Sequence, residues 1–328
     1  MTPVSGSAAP SGAQMSDRDT GSVWSALAQS DLLRSCTDVQ LADLRAHSSE
    51  ITLAPGDLLF GEADIADASA VATALALWKP NLVVNAAAYT KVDLAETELD
   101  EARRGNETGP GVLAAACASV GVPMVHISTD YVFDGSKDGA YLESDPVCPI
   151  SAYGRSKAAG EDAVRRHLPH HVILRTAWVY SEFGQNFLKT VLRLAATRDE
   201  LRIVSDQHGS PTSAGELAEA VLNVAAAFVH DWTLAGTYHF TAAGVTTWHG
   251  FASRVITVAA PVTGRNPRVI PIGTADYPTA AKRPANSRLD CRSFVEKFGF
   301  LPRHWTAGVD ATTRALVGSM QRAGSHVA

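Results

Sequence analysis

Tyr153 and Lys157 stand four residues apart in S-A-Y-G-R-S-K-A-A-G-E, the stretch from Ser151 to Glu161. In the first turn of a helix, that spacing puts both side chains on one face. A phenol with an unperturbed pKa of about 10 is a poor acid at neutral pH. A fixed ammonium beside it favours the phenolate and is expected to pull that pKa down. The tyrosine can then exchange a proton with a carbonyl or alcohol oxygen while a hydride moves to or from carbon. Upstream, Val125 to Gly135 reads V-H-I-S-T-D-Y-V-F-D-G. Its apolar start, Pro123 to Ile127, is a strand pattern that delivers Ser128, Thr129 and Asp130 to the strand's C-terminal end, where open α/β sheets place their ligands. Thr129 is the candidate hydroxyl for hydrogen-bonding a reacting oxygen beside Tyr153; a strand-end cap is the alternative. Asp130 is read as ordering the turn.

The elements that must position these residues follow from periodicity. Asp64 to Asp67 followed by A-S-A-V-A-T-A-L reads as a turn and a helix, with Asp67 or Ser69 as cap. Asn81 to Ala86 is a short buried strand, Asn106 to Val120 a helix, and Ala152 to Arg166 the Tyr/Lys helix. Val172 to Val179 is another apolar strand and Gly184 to Ala196 another helix. Strands alternating with helices predict an α/β fold, a parallel sheet with helices on both faces. The last third is less regular and predicts a smaller lobe.

Composition narrows the class. With 46% hydrophobic and 19% charged residues, the 328-residue chain has an ordinary soluble balance and enough apolar content for a sizeable core. Its net charge of −6 leaves no basic footprint for nucleic acid. Cys36, Cys117, Cys148 and Cys291 are scattered without a C-x-x-C, which points to reduced thiols in a cytoplasm rather than disulfides or zinc. His167, His170 and His171 lie between a helix and a strand and are read as surface residues, with no metal expected. Met1 to Ser22 has no basic start and no apolar run, so it is not read as a signal peptide; the longest apolar run, Val112 to Ala118, is too short to span a membrane.

The S-T-D-Y-V-F-D-G and Y-G-R-S-K segments resemble the extended short-chain dehydrogenase/reductases, and within them the dTDP-4-dehydrorhamnose reductase family. Further matching segments follow in order: V-V-N-A-A-A-Y-T-K-V-D (Val83 to Asp93), L-R-T-A-W-V-Y (Leu174 to Tyr180), D-Q-H-G-S-P-T (Asp206 to Thr212), G-T-Y-H-F-T-A-A-G-V-T-T-W-H-G-F (Gly236 to Phe251) and Y-P-T-A-A-K-R-P-A-N-S-R-L (Tyr277 to Leu289). The resemblance runs from about Asp64 to the C-terminus. It implies a Rossmann-like doubly wound sheet with a smaller C-terminal substrate lobe. A truncated dinucleotide-binding core would occupy 64–175, and the remaining strands and the lobe 176–328. It implies NADPH, with NADH as the other carrier, and reduction of the C4 ketone of dTDP-4-dehydro-L-rhamnose. Tyr153 would protonate the oxygen, Lys157 would assist it and hold the ribose, and Thr129 would position the oxygen. Asp64 and Ile65 match the pair framing the adenine; Asn85, Ala86 and Ala87 the strand end beside the cofactor; Tyr89 the ribose region. Val92, Asp93, Thr129 and Asp130 match positions on the substrate side. Trp178 is either a wall of the sugar pocket or a core residue. Arg283 and Asn286 match the polar C-terminal motif on the nucleotide. No magnesium site is expected. The partners implied are a dTDP-sugar and, as an allowed state, a second copy in a homodimer, with neither nucleic acid nor membrane.

The start of the chain departs from the family. Members open with a strand, a G-x-x-G-x-x-G turn and a helix, whose backbone receives the dinucleotide pyrophosphate. Before Asp64 the glycines are Gly6, Gly12, Gly21, Gly56 and Gly61, and none stands in that spacing. Residues 1–22 read as a disordered tail and 23–63 as an atypical segment: short helices capped by Asp31 and Thr37, then a strand, a Pro-Gly turn and a strand over Glu50 to Phe60. Leu32 to Asp64 is similar to the opening of a cyclic-nucleotide-binding domain without its phosphate-binding part, so no cyclic-nucleotide binding is expected. Two functions remain: the reductase, favoured by Thr129, Tyr153 and Lys157, and a non-catalytic or regulatory homologue, favoured by the missing glycine turn.

Overall fold

The structure, a computed structural model, describes residues 64–325. The expectations for residues 1–63, including the tail, the capped helices, the strand pair and the cyclic-nucleotide resemblance, lie outside the described residues. The chain enters at Asp64 and turns into helix α1 (Ala68–Trp78). Of the two candidate caps Asp67 is the one used: its carboxylate accepts the backbone N–H groups of Ser69 and Ala70 at 2.9 and 3.1 Å.

Four parallel strands form the sheet that carries the site: β1 (Val83–Asn85), β2 (Met124–Thr129), β3 (His171–Thr176) and, from late in the chain, a strand at Gly236–His239, in that spatial order. Among the described residues β1 has a partner on one side only. Side chains alternate between the sheet's faces. Met124 and Ile173 pack against α1, a helix at Gly109–Val120 and the Tyr/Lys helix at Ala152–His167. Val125, Val172 and Leu174 pack on the opposite face against helices at Ala214–Phe228 and Arg292–Phe298. Parallel strands buried on both faces and covered by helices are the doubly wound arrangement that the sequence predicts.

Several features differ from the sequence reading. The buried strand expected over Asn81 to Ala86 is only Val83–Asn85, and at this edge of the described sheet Val84 is exposed. The helix expected from Asn106 begins earlier: α2 (Leu99–Arg103) runs through a single π turn, Arg104–Thr108, into α3 (Gly109–Val120). Pro110 has no N–H to return to Asn106, so the ladder widens there. The strand expected to reach Val179 stops at Thr176. Trp178 then takes a left-handed φ of 51°, and the chain restarts as β4 (Val179–Tyr180), which pairs with Thr212–Ser213. That break hands the backbone from the sheet to the smaller lobe. His171 opens β3 half-buried rather than at the surface, while His167 and His170 are exposed.

The Tyr/Lys helix, α4 (Ala152–His167), starts one residue after Ser151, whose hydroxyl accepts the Gly154 N–H at 3.1 Å. Glu96 accepts the Ala152 N–H at 2.8 Å, so two of the unpaired donors of the first turn are satisfied. Arg165, Arg166 and His167 crowd the last turn, where positive charge meets the negative end of the helix dipole. The smaller lobe holds helices at Phe187–Ala195, Trp248–Thr263 and Trp305–Ser325 around an apolar cluster that includes Trp178, Tyr180 and Phe251. Among the described residues no helix is long and apolar enough to cross a membrane.

Candidate functional site

Thr129, Tyr153 and Lys157 meet where β2 ends and α4 begins. Thr129 is the last residue of β2, and its side chain caps the short turn Asp130–Val132 by accepting the Tyr131 N–H at 3.2 Å. It also donates to the Asp130 carboxylate at 3.1 Å, so the cap and the site reading describe one residue. Gly154 explains how α4 comes so close. A Cβ there would lie 3.0 Å from the Pro149 Cβ and 3.1 Å from the Tyr131 carbonyl carbon, and nearer still to that carbonyl's oxygen. Only a residue without a side chain lets the turn after Thr129 press onto the first turn of α4. The Tyr131 and Tyr153 rings then meet edge to face, with centroids 5.5 Å apart.

Electrostatically the pair departs from the sequence reading. Lys157 is 2% exposed, and its ammonium donates to the Ile127 carbonyl at 2.7 Å, turned into the sheet. Burial brings its pKa down to about 8, with the Glu161 carboxylate acting upward. The Tyr153 phenol is not depressed by Lys157 as expected. Burial pushes it up to about 12; a hydrogen bond with the Thr129 hydroxyl lowers it, and the Asp130 charge raises it. The physical reason is desolvation, which penalises the phenolate more than its neighbours compensate. At neutral pH the phenol therefore keeps its proton, the form that a proton donor needs. Asp130, 2% exposed, is itself pushed up to about 6 by burial.

On the β1 side, Asn85 is buried. Its side-chain oxygen accepts the Ala87 N–H at 3.2 Å, and its amide nitrogen lies 3.0 Å from His126 Nδ1 on β2. Ala86 and Ala87 are exposed beyond the strand end. Tyr89 donates its hydroxyl to Glu98 at 2.5 Å, and burial, then Glu98, push its pKa up to about 12. The Asp64 carboxylate is paired with Arg104, which holds its pKa down, and Ile65 lies against Gly109 at the start of α3.

The substrate-side residues fall into three groups. Half-buried Val92 and Asp93 lie just before a turn at Leu94–Glu96. Arg283 is not solvent-facing: its guanidinium forks onto Asp93 at 3.0 and 2.7 Å, and the Ala281 N–H adds a third bond at 3.1 Å. That pair keeps the Asp93 carboxyl below its usual range. Asn286 is directed at protein: its amide donates to the Lys137 and Gly139 carbonyls at 2.6 and 2.7 Å, and its oxygen accepts from Arg288. Trp178 stacks on Trp248 with ring centroids 3.8 Å apart inside the lobe cluster, over Gly209.

Two residues outside the predicted set belong to this construction. Asn106, in the π turn and fully buried, bridges the Tyr89 backbone and the Ser156 hydroxyl, with contacts of 2.8, 3.0 and 3.0 Å. It ties the Tyr89 loop to α4. Glu161, also fully buried, binds Ser128 and Arg175. Its place one turn after Lys157 was visible in the sequence, but its partners were not.

A family model described as RmlD substrate binding domain matches residues 31–317. The chain belongs to this family. The match begins upstream of Asp64, where the motif resemblance starts, and takes in part of the segment read as atypical. A curated relative, the dTDP-4-dehydrorhamnose reductase of Sinorhizobium fredii (strain NBRC 101917 / NGR234), is 47% identical over 256 residues, covering 77% of this chain and 85% of its own length. A crystal structure of a dTDP-4-dehydrorhamnose reductase from Clostridium acetobutylicum ATCC 824 superposes with a TM-score of 0.70 at 39% identity, covering 79% of this chain and 88% of that one. A second, from Bacillus anthracis str. Ames and in complex with NADP, gives 0.70 at 36% identity over 76% and 85% of the two chains.

Proposed function

We propose that this chain is an NADPH-dependent reductase that converts the C4 ketone of dTDP-4-dehydro-L-rhamnose to the alcohol of dTDP-L-rhamnose. The observation that carries the reading is the convergence of Thr129, Tyr153 and Lys157 at the end of β2, in an RmlD-family chain. The nicotinamide end of the cofactor fits these residues. An ammonium has three donors, and one of those on Lys157 is on the Ile127 carbonyl, which leaves two for ribose hydroxyls. Tyr153 stands on the same helix face, and Asn85, Ala86, Ala87 and Tyr89 would line the adjoining strand end, with Asp64 and Ile65 toward the adenine. The pyrophosphate end has no glycine turn before Asp64 to receive it.

When bound, NADPH supplies the hydride that reaches C4. The chain's part is proton transfer and orientation. The Tyr153 O–H donates its proton to the C4 oxygen as charge develops there. The Thr129 hydroxyl holds that oxygen beside the phenol. The Lys157 ammonium offsets the phenolate left behind until solvent reprotonates it. Val92, Asp93, Asp130, Trp178, Arg283 and Asn286 form or support the substrate side. The Asp93–Arg283 pair joins the loop after β1 to the C-terminal motif, and Asn286 holds the 137–139 loop. The reading places the chain in the cytoplasm, as a monomer or homodimer, with a dTDP-sugar as its small-molecule partner.

The test is to incubate purified full-length chain with dTDP-4-dehydro-L-rhamnose and NADPH, then NADH. The expected result is loss of reduced-nicotinamide absorbance that depends on the sugar nucleotide, with dTDP-L-rhamnose identified by mass spectrometry. Cofactor oxidation that does not depend on the sugar nucleotide, or no product, would overturn the reading.

A further inference from the structure

Behind the Tyr153–Lys157 pair lies a buried ionic cluster that the proposed chemistry does not use. Glu161 follows Lys157 by one helical turn and is 0% exposed. Each of its oxygens is bonded twice. Oε1 accepts the Ser128 hydroxyl at 2.6 Å and Arg175 Nε at 2.8 Å; Oε2 accepts Arg175 at 2.6 Å and Arg165 at 2.8 Å. Ser128 immediately precedes Thr129 on β2, and Arg175 lies opposite Ser128 on β3. The carboxylate therefore joins the helix that carries Tyr153 and Lys157 to the strand that carries Thr129.

We propose that Glu161 is a positioning residue for the proton-transfer site: its carboxylate, fixed by Ser128 and Arg175, holds α4 in register against the end of β2 and keeps the Lys157 ammonium charged. The consequence for turnover rests on the reductase reading, whereas the ionisation of Lys157 does not. Lys157 shares its helix with Tyr153, Glu161 and Arg165. From β2 and the turn after it, His126, Asp130 and Tyr131 face the same region; Arg175 faces it from β3, with His239 and Glu143 behind Arg175. His126 is fully buried and held neutral by burial and then by the Lys157 charge, so it offers no counter-charge. Tyr131 and Tyr153 are pushed up by burial and stay protonated. Glu161, despite its burial, is held down to about 2 by Arg175, Ser128 and Arg165, and so remains anionic across the working range. It is the carboxylate that favours the charged form of a lysine otherwise desolvated. A neutral Lys157 would not offset the phenolate formed when Tyr153 gives up its proton.

The test reads Lys157 directly by NMR titration of isotope-labelled lysine in the full chain, with its signal assigned from Lys157→Arg. The parent signal is expected to titrate near 8. Glu161→Gln removes the anion and leaves the cations, so Lys157 should titrate lower by about one pH unit or more at an effective dielectric of about 20. Arg165→Gln, at a side chain 35% exposed, removes a cation and should move Lys157 upward. Opposite shifts from the two variants are a signature that general loosening of the fold does not produce. The alkaline limb of kcat against pH should move the same way in each variant. A Lys157 titration unchanged by Glu161→Gln would overturn the inference, as would Arg165→Gln leaving it unchanged or lowering it. If Glu161→Gln does not fold, Glu161→Asp decides: it keeps the charge but draws it away from Lys157, so Lys157 should titrate lower than in the parent, and an unchanged titration would overturn the inference. Absence of turnover in the parent with both shifts present would overturn the reductase reading and leave the role of Glu161 standing.

Discussion

Gly154→Ala sets local preference against tertiary fit. Gly154 lies in the first turn of α4, and alanine in a helix interior is favoured over glycine by about 0.8–1 kcal/mol. On propensity alone the substitution would stabilise. Its Cβ would meet the Tyr131 carbonyl and Pro149, with the Tyr131 oxygen inside the 3.0 Å that real Cβ atoms keep. Backbone carbonyls do not yield as a flexible side chain does, so the first turn of α4 must move by about 1 Å. Overpacking of this kind costs roughly 1–3 kcal/mol, and a displacement of about 1 Å at reacting groups costs about 10² in rate. The expected outcome is a net loss of up to about 2 kcal/mol in stability and a fall of roughly a hundredfold in kcat, with KM little changed. Gly215→Ala is the control. Gly215 lies in the Ala214–Phe228 helix with nothing within 4 Å of its added Cβ, so that variant should gain up to about 1 kcal/mol and keep its turnover. Thermal melts and steady-state kinetics on the pair decide the matter. A Gly154→Ala protein that melts no lower than the parent and turns over within twofold of it would refute the close-approach argument.

Tyr153→Phe should lower kcat by roughly 10²–10⁴ with little change in KM, the usual worth of a positioned acid, and activity within twofold of the parent would remove its role as donor. NADPH should bind more weakly than micromolar in calorimetry. Two or three missing bonds from a glycine turn, at roughly 1.5–3 kcal/mol each, correspond to about 10²–10⁶ in affinity. Micromolar binding would show that another part of the chain receives the pyrophosphate. Stability should fall between pH 7 and 5. Burial brings His239 down to about 3 and His126 well below its usual value, so across that window the unfolded state binds more protons than the folded one. His239 then withdraws about 2 kcal/mol as the pH drops and His126 acts in the same direction, while Asp130, raised to about 6, returns about 1, so the balance is a net loss. Equal urea midpoints at pH 7 and 5 would contradict the burial of those two rings.

The parts of the fold legible in the sequence were those controlled over short range. The apolar run ending in Ser128, Thr129 and Asp130, the spacing of Tyr153 and Lys157, and the cap at Asp67 each depend on residues within a turn or two of one another. The alternation of strands and helices was enough for a doubly wound sheet, because strands buried on both faces have few other ways to be covered. The early start of the α2–α3 helix and the stop of β3 at Thr176 were less legible. They depend on a π turn beside Pro110 and on a left-handed Trp178 that lies in another lobe's core.

Only the tertiary structure decided what the charged groups do. Arg283 is 190 residues from Asp93 along the chain, and nothing local marks their fork. Glu161 sits in plain view after Lys157, yet its meaning comes from Ser128 and Arg175 on two other elements. The spacing of Tyr153 and Lys157 suggested an ammonium lowering a phenol. The fold instead turns that ammonium onto Ile127 and buries the phenol, and the phenol's pKa rises. Spacing along a helix is set by the chain's own geometry. Desolvation is the sum over every segment packed around a group, and it is defined only once those segments have met.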